Sequence, residues 1–122
     1  MERLAASVNS GLVVQVVRDD QVADLSPAVD AAVYRIAQES ITNAMRHARH
    51  ARRVVVDVSA ADGLVRLVVQ DDGEPVSWTR AGYGITGMTE RVALLGGTFS
   101  AGPGAERGWV VETVLPRVGS AS

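Results

Sequence analysis

Residues Ser26–Arg49 read SPAVDAAVYRIAQESITNAMRHAR, and Arg52–Gln70 follow as RRVVVDVSAADGLVRLVVQ. Ser26-Pro27 is a helix start, with serine as N-cap and proline at the first helical position. Val29, Val33, Ile36, Ser40, Ile41, Ala44 and Ala48 recur at threes and fours. That spacing predicts one helix from Pro27 to about Arg49 with this set as its buried face. The second stretch predicts two strands, Arg52–Ser59 and Leu64–Gln70, joined through Ala61-Asp62-Gly63, because Asp-Gly between apolar runs favours a tight hairpin turn.

Working outward, Leu12–Val17 is short, apolar and β-branched, which predicts a strand. Glu2–Val8 reads as the end of a helix that continues upstream in a longer parent, broken by Asn9-Ser10-Gly11. Downstream, Asp71–Gly84 (DDGEPVSWTRAGYG) is too polar and glycine-punctuated for a regular element. Ile85–Leu95 resumes helical spacing through Ile85, Met88, Val92 and Leu95, and Gly96-Gly97 ends it. Thr98–Ala101 and Trp109–Leu115 read as a last hairpin. Strand pairs joined by tight turns predict an α+β fold: a two-layer α/β sandwich, its sheet mixed but mostly antiparallel, with helices on one face. We expect a single domain over 1–122 with an ordered core of about 12–116.

The composition narrows the chemistry. The chain has 122 residues, 47% hydrophobic and 21% charged, with a formal net charge of −2. Such a balance excludes a disordered tail and carries no nucleic-acid footprint. Cysteine is absent, which excludes disulfides and thiolate metal sites. All 12 basic residues are arginine, so no phosphate-binding loop lysine and no lysine Schiff base are available. No apolar run approaches a membrane span, and we expect a cytoplasmic domain that makes no membrane contact.

Glu39, Asn43 and His47 stand four apart, a line that drifts only about 40° per step along one helix face. Arg35 and Arg46 flank it, and the line borders the apolar arc. Asn43 offers a neutral amide oxygen suited to Mg²⁺, Glu39 can accept a proton, and Arg46 and His47 can donate to phosphate. A polar helix flank stabilised by i,i+4 contacts has the same spacing. The basic cluster Arg46–Arg53 fits cations at a helix C-terminus better than a nucleic-acid patch. His47 and His50 lack a third ligand for zinc.

Asp71 closes the strand Leu64–Gln70, where a carboxylate can accept the exocyclic amine of adenine, and Gly73 permits close approach to a flat base. Gly82-Tyr83-Gly84 leads into the next helix, with Gly87 beyond. Glycines before a helix N-terminus expose N–H groups that suit phosphate. Taken alone, they also fit a plain surface loop.

Tyr34–Ala48 (YRIAQESITNAMRHA), Asp71-Asp72-Gly73 and Gly82–Gly97 (GYGITGMTERVALLGG), in this order and at these separations, resemble the ATP-binding catalytic domain of sensor histidine kinases of the NarL/DesK-partner type. These belong to the gyrase–chaperone–histidine kinase–MutL superfamily with the Bergerat fold, and the resemblance runs from about Leu12 to Pro116. It implies ATP and Mg²⁺ as cofactors, Glu39 as general base and Asn43 as the Mg²⁺ ligand. By the same resemblance Arg46 and His47 flank the phosphates, and Asp71 with Gly73 reads adenine. Gly82, Gly84 and Gly87 wrap the phosphates, together with Ile85, Thr86 and Met88, and Glu74–Ala81 forms the lid.

Three positions depart from that pattern. Pro75 replaces a second glycine, Trp109 stands where the last strand has a threonine, and Thr89 takes the place of a basic residue. The implied partners are a dimerisation domain carrying the acceptor histidine and, through it, a response regulator. Neither His47 nor His50 can be that acceptor, so we expect no self-phosphorylation. The alternatives are a degenerate non-catalytic nucleotide-binding or docking module and a free-standing serine kinase that inhibits a sigma factor.

Overall fold

The structure, a computed structural model, describes residues 2–7, 12–19, 25–47, 50–74 and 85–117. In chain order the elements are β1 (Glu2–Ser7), β2 (Val13–Arg18), α1 (Pro27–His47), β3 (Arg53–Ala61) and β4 (Leu64–Asp71). They continue with α2 (Ile85–Leu94), β5 (Thr98–Pro103) and β6 (Trp109–Pro116). The strands form one sheet in the order β1-β2-β3-β4-β6-β5. β2 and β3 run parallel, as a crossover through α1 requires, and the other neighbours pair antiparallel. α1 packs on β3, β4 and β6, α2 packs on β5, and the two helices touch. The expected α+β sandwich is borne out.

Local signals account for the main elements. Ser26 Oγ accepts the N–H of Val29 at 3.3 Å, and the N–H of Asp30 donates to Ser26 O at 2.9 Å, so serine caps α1 as read. The β3–β4 turn is Asp62-Gly63, with φ of 54° and 77°, the two positive values that a two-residue type I′ hairpin demands. Ala61 therefore pairs directly with Leu64. At the end of α2, Gly97 N–H donates to Val92 O and Gly96 N–H to Ala93 O, both at 3.0 Å, which closes the helix as a Schellman motif.

Alternation along the strands builds the core. Val54, Val56, Val58 and Ala60 of β3 point inward beside Val65, Leu67 and Val69 of β4, then Val111 and Leu115 of β6. Val29, Val33, Ile36 and Ala44 of α1 and Met88 and Val92 of α2 cover them. Ser40 is buried as expected, Ile41 is only half-buried, and Ala48 lies outside the described residues.

One element differs from its reading. Glu2–Val8, expected to end a helix, contributes strand β1 over Glu2–Ser7, antiparallel to β2 with Glu2 opposite Arg18 and Ser7 opposite Val13. The strand state comes from tertiary pairing and not from local periodicity, since every residue from Glu2 to Ser7 finds a partner on β2. The outer edge of β2 offers a complete ladder.

Candidate functional site

The topology gathers the candidate residues at one end of the sheet. α1 runs from Ser26, whose N–H donates to Arg117 O beyond β6, toward the start of β3. β4 ends at Asp71, opposite Val54 near the start of β3. β5 ends and β6 begins at the paired residues Pro103 and Trp109. α2 finishes at the other end of the sheet, where Gly97 abuts the Val114 carbonyl, so its N-terminus is directed toward Asp71. The second half of α1, the turn after β4, the β5–β6 loop and the start of α2 therefore share one rim.

On α1, Glu39 and Asn43 are half-buried and Arg46 is exposed, a gradation set by their position beside the apolar arc. Glu39 Oε1 lies 3.5 Å from Arg35 Nε on its own helix and 3.6 Å from Arg91 Nη1 on α2. This places Glu39 on the flank that faces α2. His47 is the last residue of α1.

Beyond β4, Asp71 is a carboxylate only 4% exposed at the end of an otherwise apolar row. Its Oδ1 accepts the N–H of Gly73 at 3.0 Å, so the chain turns back on its own side chain. Asp72 faces the opposite way: its Oδ1 accepts the N–H groups of Arg52 at 2.8 Å and Arg53 at 3.0 Å. Partial burial works against the ionised Asp72. The N–H groups of Arg53, Arg52 and Asp72 itself, with the Arg107 charge, outweigh it and hold the carboxyl below its ordinary 3.8. Glu74 Oε1 then meets His50 Nδ1 at 2.9 Å.

Gly73 is buried. Gly82, Gly84 and Pro75, and the lid after Glu74, lie outside the described residues. Ile85 and Thr86 open α2, Met88 is fully buried in the core, and Thr89 is exposed. Gly87 is exposed, and a side chain added there would meet nothing within 4 Å. Trp109 is 5% exposed and belongs to the hydrophobic core. A separate cavity of about 1020 Å³ lies along α1, lined by Val16, Tyr34, Ile41, Val56 and Leu94 among others, and neither Asn43 nor Asp71 lines it.

Sequence reasoning missed three participants. Arg91 meets Glu39 only because α2 folds beside α1. Asp72 acts through the strand start 19 and 20 residues earlier. Arg107 donates from Nε to Gly73 O at 2.9 Å across a separation of 34 residues. A lone arginine inside a glycine-bounded loop (GPGAERG) is the only local hint of the last.

Comparison with known proteins identifies the family and the fold. The family described as histidine kinase-, DNA gyrase B-, and HSP90-like ATPase matches residues 28–119. The chain is 38% identical over 85 residues to the signal transduction histidine-protein kinase/phosphatase UhpB of Salmonella typhimurium, covering 68% of this chain and 17% of that protein. It is 33% identical over 90 residues to the sensor histidine kinase YxjM of Bacillus subtilis, covering 74% and 22%. It thus spans about a fifth of these relatives. The fold is similar to the histidine kinase domain of the Erythrobacter litoralis EL346 blue-light activated histidine kinase: TM-score 0.72, 24% identity, 89% of this chain and 53% of that one.

Proposed function

Because the chain belongs to the histidine kinase-, DNA gyrase B- and HSP90-like ATPase family, as an ATP-binding domain of the histidine kinase type, we propose that it binds Mg-ATP and presents the γ-phosphate to a histidine on a separate dimerisation domain. The observation that carries this reading is Asp71, a buried carboxylate oriented by its own turn at the rim where α1 and α2 meet the sheet. A carboxylate so placed accepts the exocyclic amine of adenine, where guanine would present a carbonyl. Gly73 has no side chain to stand between the base and the backbone.

The donor set suits a metal that arrives with the nucleotide. Among the described residues no group of three or more His, Cys, Asp or Glu could hold a cation. Asn43 is a single neutral oxygen donor, which suits a Mg²⁺ ion that arrives with the nucleotide's phosphates and keeps several waters. When bound, the ion neutralises phosphate charge during transfer. Glu39 takes the proton from the attacking imidazole, with Arg35 and Arg91 orienting its carboxylate. Arg46, His47 and the N-terminus of α2, from Ile85 to Met88 with the glycines before it, carry the phosphates. The whole chain is read as one such domain. The relatives are sensor histidine kinases, which makes a parent kinase the first partner and a response regulator the next. Among the described residues no helix is long and apolar enough to cross a membrane.

The test is transfer in trans to a dimerisation domain from the same kinase. Glu39→Gln is expected to lower the transfer rate by about 10²-fold or more while ATP still binds, the range for loss of a general base. An unchanged rate removes Glu39 from the chemistry. Phosphohistidine on the isolated chain would contradict the need for a separate acceptor. Pro75 and Trp109, which depart from the family's pattern, favour one second reading, a degenerate non-catalytic nucleotide-binding or docking module, which the same assay separates.

A further inference from the structure

We propose that Arg107, in the β5–β6 loop, is a positioning residue for base recognition: it fixes the Asp71–Gly73 turn from the side opposite β3. The inference rests on the nucleotide reading above and adds a residue to it. Three observations from different parts of the chain converge on the turn. Asp72 is bonded to the Arg52 and Arg53 N–H groups and returns its own N–H to Arg53 O at 3.2 Å, so the β3 side is held. On the other side Arg107 Nε donates to Gly73 O at 2.9 Å, a charge-assisted bond in a partly buried place. The loop backbone adds to it, with Gly108 N–H directed at Glu74 O at 3.4 Å and Gly104 N–H donating to Gly108 O at 2.9 Å.

Gly108 explains how closely the loop can sit. Its φ is +73°, and a side chain there would fall 2.0 Å from Asp71 O and 3.1 Å from Asp71 Oδ1. The loop therefore rests on the backbone of the residue proposed to read the base. Because Gly73 N–H donates to Asp71 Oδ1 while Gly73 O accepts from Arg107, the arginine pins a residue whose other polar group orients the Asp71 carboxylate. A guanidinium reaches this carbonyl while its charge also favours ionised Asp72. Lysine carries the charge without the planar fork.

A positioning role and a merely structural one differ in base discrimination. Calorimetric titration of the full chain with ATP and with inosine triphosphate, which offers a carbonyl in place of the amine, separates them. For the wild type we expect a clear preference for ATP. In Arg107→Ala, ATP affinity should fall by about tenfold, the scale of one charge-assisted hydrogen bond, with inosine triphosphate affinity held within about twofold. Arg107→Lys should give an intermediate ratio and serves if the alanine variant fails to fold. An unchanged ATP-to-inosine ratio in the variants that fold, or an equal fall for both nucleotides, overturns the inference. A wild type that binds neither nucleotide overturns the nucleotide reading itself.

Discussion

Arg91 Nη1 on α2 lies 3.6 Å from Glu39 Oε1 on α1, so the residue proposed as general base is also the polar tie between the two helices. Both side chains are about one-third exposed, which places the pair in the range of partly solvated ion pairs worth about 0.2–1 kcal/mol. A double-mutant cycle with Arg91→Ala and Glu39→Ala, read by urea denaturation, should give a coupling energy within that range. A coupling near zero would mean that the helices are joined by apolar packing alone.

Asp72 should contribute a pH-dependent part of the stability in acid. Its pKa is depressed in the folded protein, so the stabilisation is fully present above the unfolded value near 3.8 and is lost as pH falls through the lower folded value. Asp72→Ala should cost about 1 kcal/mol at neutral pH, the loss of a cap on two N–H groups. The gap between wild type and variant should close below pH 3.8. Denaturation curves at stepped pH measure it, and a constant gap argues against the ionised cap.

Gly108→Ala should be among the most damaging small changes in the chain. It forces a positive φ on alanine and drives Cβ to 2.0 Å from the Asp71 carbonyl. We expect a loss of about 2–4 kcal/mol, since strain and overpacking each cost about 1–3 kcal/mol. Thermal melts check it, and a variant as stable as the wild type would show that the loop yields.

Thr113 offers the opposite sign. Its hydroxyl is buried on the inner face of β6, 1% exposed, and finds no hydrogen-bond partner among the described residues. Thr113→Val keeps the shape and removes the unsatisfied oxygen, which should stabilise the fold by about 1 kcal/mol. A destabilised variant would point to a water held at that oxygen.

These outcomes follow from parts of the molecule that were unequally legible in the sequence. Ser26-Pro27 and the spacing from Val29 to Ala44 specify α1 locally, because capping and periodicity are short-range properties. Asp62-Gly63 specifies the β3–β4 hairpin for the same reason. Glu2–Ser7 was not legible, since its strand state depends on the open edge of β2, a partner set by tertiary structure. Within the candidate site, Asp71 and Gly73 stood out as residue types in a pattern. Arg107 did not, because its role comes from a loop that returns to the turn only after β5.

Binding of Mg-ATP at the rim around Asp71, through the adenine amine, is tested by calorimetric titration of ATP with and without Mg²⁺ into the wild type and Asp71→Asn. We expect saturable ATP binding by the wild type, weaker without Mg²⁺, and a loss of at least about tenfold in Asp71→Asn with the melting temperature retained. Equal affinity in the two proteins, or no binding by the folded wild type, would contradict it.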